Sequence, residues 1–267
     1  MKSKANVATA CACWVALSIL GCADGSSSTA SSKPKGSGSA TKDASAGKAD
    51  AATGGDAAGP GKKDAGSTTV PLGGALTDFV SRNPIAGASL CITIPHSANP
   101  TCTQSASDGS YSIDIPADMN IAVTVHASGY LDAIIPEHVA MDTSLSLEPV
   151  TKADVEMQAA GAGVTLDDTL GHLALNIGAP GSTFSVKPAS GTLLYFDASG
   201  VPSATETKTT SAGLGVLFNA QPGTYEATYD VGAHACEVTL GWPGSAANSV
   251  SAPVVAGSIT SVGMGCI

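Results

Sequence analysis

Aromatic and charged side chains are scarce in this chain of 267 residues: aromatics make up 4% of it and charged residues 13%. A core with so few rings must be built mainly from smaller aliphatic side chains, so we expect it to be thin. Positive charge is scarcest beyond residue 68, where 17 acidic side chains face four basic ones and the formal net charge is 4 − 17 = −13. Such a surface repels nucleic acids and anionic lipid headgroups, and we expect neither as a partner.

The sequence also lacks the short motifs that carry catalysis or bind nucleotides. It has no G-x-S-x-G, no H-E-x-x-H, no P-loop and no G-x-G-x-x-G after a strand-like segment. Its histidines are scattered, with no pair at i,i+2 or i,i+4: His96, His126, His138, His172 and His234. We therefore predict that the protein is not an enzyme and that it has neither a cofactor nor a metal site.

The first 22 residues are organised like a secretory leader. Lys2 and Lys4 precede an apolar run over residues 7–20, which is too short to span a bilayer as a helix. The run ends in Ile19-Leu20-Gly21-Cys22, which resembles the bacterial lipobox, where a Cys follows a small residue and branched aliphatics. The resemblance implies that residues 1–21 are a signal peptide and that Cys22 is lipidated and begins the mature lipoprotein.

The segment after Cys22 is predicted to be a disordered tether, residues 22–68. Beyond the Cys it contains only Ala, Asp, Gly, Ser, Thr, Lys and Pro, so it cannot bury enough apolar surface to fold. As a flexible coil it would reach about 35–40 Å from the membrane. Ala23 stands where an Asp would imply retention at the inner membrane in the lipoprotein sorting rule, so the resemblance implies the outer membrane or cell surface.

Four of the seven cysteines remain once the leader and the anchor are set aside. An even number of cysteines in an oxidising compartment indicates disulfides, and the four fall into two close pairs. We predict the bonds Cys91–Cys102 and Cys236–Cys266; four free thiols are the alternative. A zinc site is disfavoured because the mature chain has no C-x-x-C.

Beyond residue 68, short segments of alternating apolar and polar residues are separated by turn residues, most clearly over residues 110–115. We predict strands over residues 76–81, 88–94, 110–115, 121–126, 171–177, 191–196, 214–220, 226–229 and 234–240, with one or two more over 139–150. Residues 157–163, rich in Ala and Gly, are predicted to be a linker. This spacing is typical of β-sandwiches, and we predict an all-β protein with two small sandwich domains in tandem, residues 69–160 and 161–267.

The turn motifs of the first domain resemble the carboxypeptidase regulatory-like domain. They are Pro84-Ile85-Ala86-Gly87-Ala88, then Asp108-Gly109-Ser110-Tyr111, then Pro116, then Gly129-Tyr130. That family is a transthyretin-like (prealbumin-like) β-sandwich used as an accessory module, so the resemblance implies no catalytic residues. A looser match at Pro222-Gly223-Thr224-Tyr225 implies a second, diverged copy in residues 161–267.

Two kinds of residue could still mark a binding site. Asp108, Asp167 and Asp197 could offer oxygen ligands to Ca²⁺ from turns, but Asp also stabilises turns alone and no D-x-D-x-D loop is present, so we favour the turn role. Trp242, predicted to lie in a loop, could stack on a sugar. The alternative is that it seals the end of the sandwich near Cys236, and we predict a mostly buried, stabilising side chain.

The sequence thus predicts a non-catalytic, membrane-anchored envelope lipoprotein with a structural or binding role. A carbohydrate-binding surface module is the alternative, and an accessory subunit of a secreted enzyme is a less favoured third. The expected partners are the membrane, through the lipid on Cys22, and envelope proteins or polysaccharide.

Overall fold

The computed structural model describes residues 69–95, 99–139 and 144–266. The predicted signal peptide, Cys22, the tether and His96 lie outside the described residues. Within them, all the regular structure is β-strand except for one short helix. The all-β prediction is confirmed.

The first half of the described chain contains six strands: β1 (Thr69–Ala75), β2 (Ser89–Thr93), β3 (Thr101–Gln104), β4 (Ser110–Pro116), β5 (Met119–His126) and β6 (Asp132–Val139). Helix α1 (Lys152–Gly161) follows. The second half of the described chain contains ten strands: β7 (Gly171–Ile177), β8 (Thr183–Lys187), β9 (Thr192–Phe196), β10 (Pro202–Ser203), β11 (Leu214–Ala220), β12 (Gly223–Asp230), β13 (Cys236–Leu240), β14 (Trp242–Pro243), β15 (Ser249–Val254) and β16 (Ser258–Cys266).

One large mixed sheet runs through both halves. Its strands are ordered β10-β9-β11-β7-β16-β6-β5-β2-β3, and β13 also pairs with β16. Strand β16 is parallel to both β6 and β7, so that Thr260 lies opposite Ile134 on one side and Leu173 on the other. The predicted domain boundary after residue 160 falls at the end of α1, and the sheet is continuous across it because β16 serves both halves.

Two smaller sheets cover the large one. β1 and β4 form the first, and β14, β15, β12 and β8 form the second in that order. In β4 the predicted alternation holds, because Tyr111, Ile113 and Ile115 are buried and belong to the core of the first half. In the second core, the rings of Phe184 and Tyr229 meet edge to face with their centroids 5.1 Å apart. The sandwich architecture is therefore confirmed.

Residues 157–163 were predicted to be a linker, and this is wrong because most of them belong to α1. Thr151 caps the helix by accepting a 3.1 Å hydrogen bond from the backbone N–H of Asp154. Val155 and Ala159, four residues apart, are buried in a third apolar cluster that also contains Phe218 of the large sheet. The helix thus covers the face of the sheet that lies opposite the second core.

Three strand predictions need correction. Residues 76–81 are not a strand, because Leu76 and Thr77 form only isolated bridges and residues 79–81 form a turn. In that turn a carboxylate oxygen of Asp78 accepts hydrogen bonds from the backbone N–H groups of Val80 and Ser81. Strand β6 ends at Val139, where the region predicted over residues 139–150 begins. Within residues 144–150, Ser144 and Leu147 form isolated bridges. The predicted last strand, residues 234–240, is followed by β14, β15 and β16.

Candidate functional site

Trp242 has the most informative surroundings of the predicted site residues. The loop prediction is wrong, because Trp242 and Pro243 form β14 and Trp242 pairs with Ser251 of β15. Its side chain is half-buried. Its indole Nε1–H donates a 2.7 Å hydrogen bond to the backbone carbonyl of Ile121 in β5. This bond fixes the orientation of the ring against the first half of the chain.

Residues 240–242 dock on β5 and β6, and we call this contact the seam. Trp242 is its last residue. Leu240 is buried in the core of the first half although it belongs to the second half by sequence. The N–H of Gly241 donates a 2.9 Å hydrogen bond to the carbonyl of Pro136. Gly241 has a φ of 115°, and a Cβ there would lie 3.3 Å from two valine side chains. The turn from β13 into β14 therefore requires glycine.

A groove of about 190 Å³ lies beside the indole. Residues from both halves line it. Those from the first half are Thr93, Pro95, Ala122, Thr124 and Ile134, and those from the second half are Trp242, Pro253 and Val255. None of these side chains is charged, although the chain beyond residue 68 has a formal net charge of −13. The groove is therefore suited to an uncharged ligand with an apolar face.

Two threonines supply the polar groups of the groove. Thr124 lies opposite Ile134 on one neighbouring strand and opposite Cys91 on the other, while Thr93 lies opposite Ala122. Neither hydroxyl makes a hydrogen bond within the described part of the chain. Because the indole N–H already bonds to Ile121, these hydroxyls are the side-chain hydrogen-bonding groups that the groove offers to a ligand.

Both predicted disulfides are present. Cys91 is bonded to Cys102 across β2 and β3, and Cys236 is bonded to Cys266 across β13 and β16. In each case the two residues lie directly opposite one another in the register of the sheet, with Cα atoms 4.1 Å apart. The bonds join neighbouring strands, which indicates a structural role.

The histidines are engaged separately. His126 is exposed and forms a 2.6 Å bond with Asp132, whereas His172 is buried and its Nδ1 accepts a 3.2 Å bond from the N–H of Asn219. Burial lowers the pKa of His172. In residues 69–95, 99–139 and 144–266 we find no group of three or more His, Cys, Asp or Glu that could hold a metal ion.

No helix within those ranges is long and apolar enough to cross a membrane.

The aspartates considered as calcium ligands are used by their own turns. In each case one carboxylate oxygen accepts hydrogen bonds from both the backbone N–H and the hydroxyl of the residue two positions on. These pairs are Asp108 with Ser110, Asp167 with Thr169, and Asp197 with Ser199. The bonds lower the pKa of all three aspartates, and the turn role is favoured over a metal site.

Sequence reasoning missed two carboxyls in unusual environments. Glu226 of β12 accepts 2.7 Å hydrogen bonds from the N–H and hydroxyl of Ser245 and from the hydroxyl of Ser249, which lower its pKa to about 2. Burial raises the pKa of Glu137 in β6 to about 7. The partners of Glu226 are 19 and 23 residues away in sequence, and β6 was not predicted, so no local signal marked either glutamate.

No family model matches the chain, and no curated protein matches it significantly. The resemblance to the carboxypeptidase regulatory-like domain therefore stays a prediction. The chain is similar to the Bacillus anthracis TIE protein, with 10% identity and a TM-score of 0.28. The match covers 74% of this chain and 34% of the TIE protein, so this chain spans about a third of the length of that protein. It is similar to the GBS52 minor pilin of Streptococcus agalactiae with 9% identity and a TM-score of 0.23, over 74% of this chain and 96% of that one. It is also similar to the shaft pilin SpaA of Lactobacillus rhamnosus GG, with 12% identity and a TM-score of 0.22, over 75% of this chain and 98% of that one. Likenesses this weak show nothing about the function of this chain.

Proposed function

We propose that the protein is a non-catalytic lipoprotein of the bacterial envelope, anchored through Cys22, whose folded part has a structural or ligand-binding role. The observation that carries the proposal is the order of the first 68 residues: a charged start, a short apolar run, a lipobox ending in Cys22, and a spacer without large apolar residues. A spacer of this kind is useful to a protein that is attached at its start and works at a distance from the membrane.

Ala23 supports the outer membrane or the cell surface as the location. The strong negative charge beyond residue 68 fits a folded part that stays away from anionic headgroups and is held near the membrane by lipid alone. The partners we propose are the membrane, through the anchor, and envelope proteins or polysaccharide. The separate engagement of His126, His172 and the turn aspartates supports a role without catalysis, because general acid-base chemistry needs such groups gathered around one cavity.

Cell fractionation with metabolic labelling tests the proposal. The unaltered protein should incorporate labelled palmitate and partition with outer-membrane fractions, whereas Cys22→Ser should lose the label and appear in the aqueous fraction. Ala23→Asp is a matched control, because it should keep the palmitate label and move the protein to inner-membrane fractions. An unlabelled wild-type protein, or a Cys22→Ser variant that stays membrane-bound, would contradict the proposal.

The groove beside Trp242 favours a carbohydrate-binding surface module as the second candidate function. An indole wall can stack on the apolar face of a sugar ring, and the hydroxyls of Thr93 and Thr124 can exchange hydrogen bonds with sugar hydroxyls. The absence of charge in the lining and the net negative charge beyond residue 68 favour neutral saccharides as the ligand class.

A panel of neutral polysaccharides tests this second candidate by quenching of tryptophan fluorescence. Binding should be weakened by Thr124→Val, which keeps the shape of the side chain and removes its hydroxyl, with Thr101→Val in β3 as the control outside the groove lining. Absence of quenching by every member of the panel would leave the structural role as the better account.

A further inference from the structure

The floor of the groove continues across the sheet formed by β5, β2 and β3. Side chains that lie opposite one another on neighbouring strands share a face of the sheet. Thr124 of the groove lies opposite Cys91, and Cys91 lies opposite Cys102 of β3. In the next row of the same face, Ser89 lies opposite Gln104. We call the face formed by these five side chains the open face.

The side chains of this face become more exposed from β6 towards β3. Ile134 of β6 is buried, Thr124 of β5 is half-buried, and Cys102 and Gln104 of β3 are exposed. At the covered end lies β14, the edge strand of its own sheet, which carries Trp242. Because neighbouring strands lie about 4.8 Å apart, the open face extends about 10 Å from β5 to β3. That distance is longer than a single sugar ring.

The open face is polar and uncharged. The amide of Gln104 makes no hydrogen bond within the described residues, so its donor and its acceptor are both available to a ligand. The charged groups of β5 and β6 on this side lie at the two margins, where His126 pairs with Asp132 and His138 lies 3.3 Å from Asp118. An uncharged strip between acidic margins favours a neutral ligand over an anionic one.

The disulfide between Cys91 and Cys102 fixes the far end of the open face. In the described part of the chain β3 pairs with β2 alone, and the disulfide joins these two strands covalently in the middle of the face. A floor that is rigid before binding lowers the cost of ordering a ligand on it. Building on the second candidate function, we propose that the open face extends the groove into a site for a linear neutral polysaccharide, which crosses β5, β2 and β3 from Trp242 to Gln104.

In this site the two ends of the face have different roles. The indole of Trp242 stacks on one sugar ring, and the hydroxyl of Thr124 bonds beside it. Gln104 exchanges hydrogen bonds with the hydroxyls of a sugar further along the chain. A short saccharide held at the indole does not reach β3, so Gln104 determines the preference for longer chains.

The test is quenching of tryptophan fluorescence in the full chain with Trp14→Phe, which makes Trp242 the only tryptophan. The probes are malto-, cello-, laminari- and chito-oligosaccharides of one to about six units. Affinity should rise with length and level off once the chain spans the open face. Gln104→Leu should weaken binding of the longest probes about 2- to 10-fold and leave the shortest binding probes unchanged. Gln221→Leu, an exposed glutamine between β11 and β12, is the matched control and should bind like the unaltered chain.

An affinity that does not depend on length overturns the extended site and leaves the groove as a site for short saccharides. A Gln104→Leu variant that binds the long probes like wild type, or that is weakened equally at every length, also overturns it. If no saccharide of the panel binds, the second candidate function falls together with this proposal. The length dependence is measured without any substitution in the open face, so it decides the question even if Gln104→Leu fails to fold.

Discussion

The indole N–H of Trp242 and the backbone carbonyl of Ile121 are joined by a 2.7 Å hydrogen bond across 121 positions of sequence. Together with Leu240 in the core of the first half and with β16 between β6 and β7, this bond ties the two predicted domains to each other. The two halves therefore share structure in a way that independent modules on a flexible linker do not, and the first two predictions below follow from that sharing.

Replacing Trp242 should destabilise the protein without abolishing folding. Trp242→Ala should cost about 2–4 kcal/mol, below the upper end for a fully buried ring because the side chain is half-buried. Trp242→Phe keeps an aromatic ring but loses the fused five-membered ring and with it the N–H donated to Ile121, so it should cost about 1–2 kcal/mol. Chemical denaturation measures both, and a Trp242→Phe variant as stable as the wild type would contradict the role given to the hydrogen bond.

Leu240→Ala should destabilise both halves together. Leu240 is 4% exposed and fills the core of the first half from a strand of the second, so its truncation should cost about 2–5 kcal/mol. Amide hydrogen exchange should accelerate to a similar extent in β4 and in β12, because one cooperative unit opens as a whole. Faster exchange in only one of these strands would show that the halves unfold separately.

The two disulfides should contribute substantially to stability. They close loops with sequence separations of 11 and 30 residues, which corresponds to about 3 and about 4 kcal/mol in the chain-entropy estimate. The double Cys→Ala variant at Cys91 and Cys102 should lower the melting temperature. The double variant at Cys236 and Cys266 should lower it further, because its loop is longer. Non-reducing peptide mapping of protein from an oxidising compartment checks the pairing, and recovery of four alkylated thiols would contradict it.

Acid should release the loop that Glu226 holds. The hydrogen bonds from Ser245 and Ser249 lower the pKa of Glu226 from its ordinary 4.5 to about 2, so the unfolded state binds this proton more tightly than the folded state. The stabilisation is complete above pH 4.5 and is lost as the pH falls towards 2. Melting temperatures over that range should fall less steeply in Glu226→Gln than in wild type. An unchanged slope would contradict the assignment.

Much of the fold could be predicted from local pattern. Alternation over residues 110–115 identified β4, and the pairing of Cys91 with Cys102 followed from parity and spacing. The sequence around α1 misled because Ala and Gly dominate it, and a helix built from small residues has only a weak apolar periodicity. Its identity depends on Thr151 as a cap and on burial of Val155 and Ala159, which becomes visible only when the sheet beneath it is known.

The site was less predictable because it depends on distant contacts. Trp242 was recognised as a candidate, but its flanking glycines and proline indicated a loop, while pairing with Ser251 makes it a strand. Nothing local to Glu137 signals that its carboxyl faces a core, since that follows from the alternation of β6 and from Ile121 opposite it. Register between strands far apart in sequence creates both environments, and single-sequence periodicity does not supply that register.

The mass of the first peptide of the mature protein tests the central claim, attachment through Cys22, most directly. Protein extracted from the envelope in detergent is digested with trypsin, and the peptide that contains Cys22 is measured. The account predicts a peptide that begins at Cys22 and carries the added mass of a diacylglyceryl group, and it predicts that no such peptide is found in the Cys22→Ser variant. A wild-type peptide with an unmodified Cys22, or one that continues upstream of it, would contradict the account.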